Sequence, residues 1–96
     1  MANIHQKRTV KLSTVLRAAA FRDGYEAAAK GTPFDPDAYK GETYHGFSAP
    51  YLYENGRYFA AHCKAELGRC IPLKYGRTVS NDAIWEYRNA MLSGSV

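Results

Sequence analysis

The sequence predicts a mainly α-helical, small single domain in which two closely crossing helices are joined by a long aromatic loop and followed by a third, C-terminal helix. Three observations carry that expectation. A motif is written twice, as Phe21-Arg-Asp-Gly24-Tyr-Glu-Ala-Ala28 and as Tyr53-Glu-Asn-Gly56-Arg-Tyr-Phe-Ala60, each an aromatic, then Gly three residues on, then Ala four after that. At 3.6 residues per turn these positions share one helix face, so each copy sets a ring beside a strip without side-chain bulk, and two such strips let helix axes approach closely. Serine caps and glycine stops bracket the helical stretches. The length of 96 residues suffices for one core but not for two domains.

The first helix is expected to start near Ser13 or Thr14, whose hydroxyls suit an N-cap, and to run through Ala29 or Lys30. Gly31 stops it, with Pro33 beyond. Residues 31–47 hold the prolines, glycines and aspartates of a loop, longer than most connections in compact domains. Such a loop is either mobile or held down, and its rings Phe34, Tyr39, Tyr44 and Phe47 favour packing. Ser48 caps the second helix, with Pro50 tolerated in the first turn, and the helix runs to Leu67 before Gly68. Leu52, Tyr53, Gly56, Phe59, Ala60, Cys63 and Leu67 form its apolar stripe. Glu54, Arg57, Tyr58, His62 and Lys64 take the remainder. Residues 69–79 read as an extended connector, interrupted by Pro72 and Gly76, with room for a short edge strand. Ser80 then caps a third helix over about 81–92, stapled by Val79 and Ile84 and docking through Ile84, Tyr87 and Met91, with Trp85 or Leu92. Residues 1–12 form a basic segment, and 93–96 are expected to be a flexible tail.

Charge is distributed in blocks. Residues 1–30 carry +4, 31–54 carry −3, 55–77 carry +4 and the remainder −1, so basic stretches flank an acidic, aromatic loop. No apolar run of about 18 residues is available to span a bilayer, and the first residues lack the apolar stretch of a secretory signal. The expected location is the cytoplasm, away from membranes. Cys63 and Cys70 match neither a redox nor a zinc spacing and are expected to be free thiols. His62 and Cys63 point about 100° apart on a helix, so no metal site is expected from His45, His62, Cys63 and Cys70. Nor does any constellation of Asp35, Asp37, the histidines and the serines compose a catalytic group, and the reading is of a non-enzyme without cofactor. The paired Gly/Ala strips serve either close packing within one domain or self-association. The motif thereby assigns Phe21, Gly24, Ala28, Tyr53, Gly56 and Ala60 to a helix crossing.

What remains for binding is basic. Arg57 and Lys64 are seven residues apart on one helix face, Lys74 and Arg77 follow in the connector, and Lys7, Arg8 and Lys11 precede the first helix. These charges suit phosphates, and the interleaved Tyr51, Tyr58 and Tyr75 suit stacking on unpaired bases. The competing reading of the same residues is a solvated surface with snorkelling stems.

The order Gly24-Tyr-x-Ala-Ala-x-x-Gly31-x-Pro33-Phe34, a loop, then Tyr53-Glu-x-Gly56-Arg-x-x-Ala60 resembles the ribosome modulation factor superfamily and its small bacterial and phage relatives. The resemblance covers roughly residues 15–65. It implies two helices joined by a loop and, in the founding members, binding to the small ribosomal subunit to produce hibernating ribosomes. The chain departs from those members in a longer, more acidic linker, in Arg57 and Tyr58 where they tend to place tryptophan, and in its third helix. Two functions follow as expectations. One is binding to the ribosome or RNA through Lys7, Arg8, Lys11, Arg57, Tyr58, Lys64, Lys74 and Arg77. The other is a phage-encoded inhibitor that meets a host protein complex through Asp35, Asp37 and Glu42 or the exposed tyrosines.

Overall fold

A computed structural model describes residues 10–96. Its elements run α1 Leu12–Arg17, α2 Ala19–Ala29, β1 Thr43–Tyr44, β2 Phe47–Ser48, α3 Ala49–Leu67, β3 Lys74–Tyr75, β4 Thr78–Val79 and α4 Asn81–Leu92. Helix dominates, as expected, and the strands are two residues each.

The single first helix expected from the sequence is two. Ala18 is extended, its N–H bonds back to the Val15 carbonyl to close α1, and its own carbonyl accepts from Arg22 to open α2. The corner lets α1 bury Val15 and Leu16 while α2 takes a separate course, and Ala18, only 1% exposed, fits there because it has almost no side chain. Neither Ser13 nor Thr14 caps α1, whose N-cap is Lys11 with no side-chain bond. Helix α2 ends in a Schellman motif: Thr32 N–H reaches Ala27 O at 2.8 Å, Gly31 N–H reaches Ala28 O at 3.1 Å, and Gly31 takes the left-handed φ of +79°.

The repeated motif makes the crossing. A methyl group on Gly24 would overlap the backbone carbonyl of Tyr53, and one on Gly56 would overlap the carbonyl of Phe21. Each glycine therefore packs on the carbonyl of the other copy's aromatic residue, a reciprocal contact between backbones. The small-residue strips serve packing within the domain. Above them Phe21 and Phe59, both fully buried, receive the edge of Tyr87 at centroid distances of 5.4 and 5.1 Å.

Residues 31–47 are not wholly loop. Thr43 pairs with Ser48 and Tyr44 with Phe47 across a two-residue turn, His45-Gly46, in which both residues have positive φ as a type I′ turn requires. The remaining loop is held by its rings, since Phe34 and Tyr39 lie 5.9 and 5.8 Å from Tyr53 and the Tyr39 hydroxyl donates to Asp23. The connector is likewise a hairpin, Lys74 facing Val79 and Tyr75 facing Thr78, rather than an edge strand alone. Its approach buries Ile71 and Leu73.

Helices α3 and α4 begin as expected. Ser48 Oγ accepts from Tyr51 N–H and Ser80 Oγ from Ala83 N–H, both at 3.3 Å. Their faces differ from expectation. Helix α3 is covered by both α2 and α4, so its buried surface is wider than one stripe: Asn55 and His62 are inside, while Leu67 is 43% exposed near the end. Helix α4 docks through Ala83, Tyr87 and Ala90, not through Met91, Trp85 or Leu92, because the two alanines bring its backbone close to the core. Residues 93–96 form a second Schellman turn, with Ser95 N–H on Ala90 O and Gly94 at φ +79°, where a flexible tail was expected.

Candidate nucleic-acid interface

Lys7 and Arg8 lie outside the described residues. The other expected contacts divide by position. Arg57 and Lys64, one face of α3, both reach the carboxyl end of α2. Lys64 Nζ donates to Ala28 O and Ala29 O at 3.1 and 3.2 Å, and Arg57 donates to Thr32 O at 2.9 Å while its guanidinium lies 5.8 Å from the Phe34 ring centre. The helix end presents the negative pole of its dipole and carbonyls with lone pairs beyond those that the Schellman turn uses, which explains why two cations settle there. They act first as a cap donated from a neighbouring helix. A guanidinium has five donors and an ammonium three, so Arg57 keeps several hydrogens, and Lys64, which already donates to two carbonyls, keeps one, for a further acceptor.

From that cap the surface continues into a depression of about 460 Å³ between α2 and the second hairpin. Ala29, whose carbonyl Lys64 holds, lines it together with Arg22, Glu26, Cys70 and Lys74. The structure thus joins Arg57, Lys64 and Lys74 through the α2 end and adds Arg22, which the sequence alone does not single out because neighbours some 50 residues apart leave no local signature. Arg77 is exposed in the turn after Tyr75. Tyr58 is 56% exposed and shares a smaller hollow with Phe34, Glu54 and Arg57. No contact joins Lys11, exposed at the start of α1, to this band among the described residues.

Ion pairing leaves the band charged. Among the described residues the pairs are Lys40 with Asp37 at 3.4 Å and His62 with Glu86 at 2.7 Å, neither of which touches it. The acidic loop satisfies itself instead, Asp37 N–H donating to Asp35 Oδ1 at 2.9 Å.

A second polar cluster has no counterpart in the sequence pattern. His62, placed on the outer side of α3 by its spacing, is buried with Nε2 2.7 Å from Glu86 and Nδ1 3.1 Å from Ser95 Oγ. Its partners lie 24 and 33 residues away, and both ring nitrogens are used to tie α4 and the last turn to α3. Cys63 is fully buried beside the Tyr25 hydroxyl, and burial pushes its thiol up, away from the reactive thiolate. Tyr25 donates to Ile71 O at 2.6 Å and burial raises it well beyond the ordinary tyrosine range. Both cysteines are free thiols. Among the described residues no three His, Cys, Asp or Glu side chains converge as metal ligands would. Nor is any of their helices long and apolar enough to cross a membrane.

Fold and surface together define a small helical domain with a cationic band around the closed end of a glycine-mediated helix crossing. No protein-family model, curated protein or solved structure matches the chain.

Proposed function

We propose that this chain is a non-enzymatic binding protein that engages ribosomal RNA or another ribonucleoprotein through the band formed by Arg22, Arg57, Lys64, Lys74 and Arg77. The observation that carries the reading is that Arg22, Arg57, Lys64 and Lys74 lie around one helix end, with Arg77 in the hairpin turn that follows Lys74, and that no carboxylate is paired to any of them among the described residues. A solvated basic surface usually intersperses both signs; this one holds Glu26 as its acidic member within the depression. Exposed Tyr58 borders the band beside Arg57 and offers a face for an unstacked base. The likeness of residues 15–65 to ribosome modulation factors points the same way.

The test is cosedimentation of the purified chain with ribosomes over a salt series. Binding should fall steeply with salt, and Lys74→Glu with Arg77→Glu should weaken it across all RNA sequences and lower the salt slope by about 1 for each phosphate that is no longer neutralised. Tyr58→Ala should cost about 1–3 kcal/mol if that ring stacks on a base. Absence of cosedimentation at low salt sinks the reading. Capture of a defined protein from nuclease-treated lysate, insensitive to salt, would instead favour a host protein complex met by the acidic loop of Asp35, Asp37 and Glu42.

A further inference from the structure

The most exposed large apolar side chains among the described residues are Tyr75 and Leu92, each 82% exposed, and Trp85 at 60%. They form a row. Tyr75 borders the hollow at the start of α4 with Asn81 and Asp82, and Trp85 and Leu92, seven residues apart, share the α4 face turned away from buried Ala83, Tyr87 and Ala90. Arg88 sits between them on that face, with no carboxylate partner among the described residues. The row spans the roughly 18 Å length of α4. At its far end Met91, 43% exposed, opens onto an apolar groove of about 190 Å³ lined also by Val15, Tyr51 and Val96.

We propose that this face is a dimer interface at which α4 packs antiparallel on α4 of a second copy of the chain. The basis is self-complementarity, the condition that a two-fold interface must meet. With the axis near Glu86 and Tyr87, Trp85 of each copy faces Arg88 of the other, giving two cation–π pairs. The same register sets Leu92 opposite Asn81 and the Tyr75 ring beside it, again twice, and brings opposite helix-dipole ends together. Phosphate does not fit this face, because Arg88 is the single cation of α4 and is balanced by the exposed Asp82. Tryptophan and arginine are the residue types that dominate such contacts. The interface leaves Arg57, Lys64 and the α2 end uncovered, so each dimer presents the cationic band twice.

Sedimentation equilibrium of the full chain across a concentration series tests this. Trp85 is the single tryptophan, so its emission reports the face directly. The expected result is a mass that rises to twice that of one chain, with a blue shift of Trp85 emission over the same concentrations. Leu92→Asp and Arg88→Glu should each raise the dissociation constant at least tenfold while leaving the circular dichroism of the dilute protein unchanged. A single-chain mass and water-exposed Trp85 emission at the highest soluble concentration would overturn the proposal. So would a dimer indifferent to both substitutions, which would use another face. It is equally overturned if Leu92→Asp leaves the mass unchanged but abolishes ribosome cosedimentation, since the face would then serve a different partner.

Discussion

Gly24 and Gly56 decide how near two helices come, and the decision is made by backbone against backbone. A side chain in the way can rotate; the Tyr53 and Phe21 carbonyls, fixed in their own helices, cannot. Gly24→Ala or Gly56→Ala must therefore push α2 and α3 apart and open the contacts of Phe21 and Phe59, at about 3 kcal/mol or more each. Urea unfolding followed by circular dichroism measures it; a cost under about 1 kcal/mol would mean the helices shift without penalty. A second residue-scale contact is polar. Asn55, 3% exposed, donates through Nδ2 to the Tyr87 hydroxyl, whose ionisation burial pushes well above the ordinary range. Tyr87→Phe keeps the ring on Phe21 and Phe59 but strands that donor, costing about 1–3 kcal/mol. Adding Asn55→Leu should recover part of the loss, and a double-mutant cycle on the same unfolding curves reads it. The glycines were legible because the motif repeats within single helices. Asn55 and His62 were not, because their partners Tyr87, Glu86 and Ser95 stand in another helix or its last turn, and helix spacing alone sends polar residues outward.

The elements show the same division between local and distant causes. Starts and stops were legible wherever a side chain or a glycine makes them: Ser48, Ser80, Gly31 and Gly68 all act where the sequence places them. The α1–α2 corner was not, because Ala18-Ala19-Ala20 is a run of the best helix formers and only packing of Val15 and Leu16 bends it. The first hairpin hid for a related reason, its turn being His45-Gly46 where Asn-Gly would have announced it. The aromatic loop between α2 and that hairpin is tethered by Tyr39, whose hydroxyl donates to the Asp23 carboxylate. That bond first, and partial burial second, raise Tyr39 from 10.0 to about 12. A folded value above the unfolded one means its stabilisation is fully present below about pH 10 and lost as pH rises through about 12. The loop should loosen over that window, followed by the ring carbon shifts of Tyr39, and Asp23→Asn should move the transition down. An unchanged midpoint in Asp23→Asn would show the tether is not the cause.

Across the whole molecule the crossing and the fourth helix are held by different means. Helices α2 and α3 share backbone contact and the rings of Phe21, Tyr25 and Phe59, whereas α4 adds two alanines and Tyr87 to that core and is tied further by Asn55 to the Tyr87 hydroxyl and by His62 with Glu86 and Ser95. Smaller apolar burial should give α4 the lower opening free energy, since local stability follows the surface an element buries. Native-state hydrogen exchange is expected to show α2 and α3 amides exchanging only through global unfolding, with those of α4 and the last turn exchanging in a separate, earlier opening. Glu86→Ala leaves the buried His62 ring without its Nε2 partner and costs about 1–3 kcal/mol. Its effect should fall on that partial opening before it reaches the crossing, so exchange of α4 amides accelerates at denaturant concentrations where α2 and α3 stay protected. Equal protection of all four helices, lowered together by Glu86→Ala, would instead make the chain one cooperative unit. The distinction bears on binding, because an α4 that opens alone leaves the cationic band around the α2 end intact, while any face built on α4 itself is lost with it.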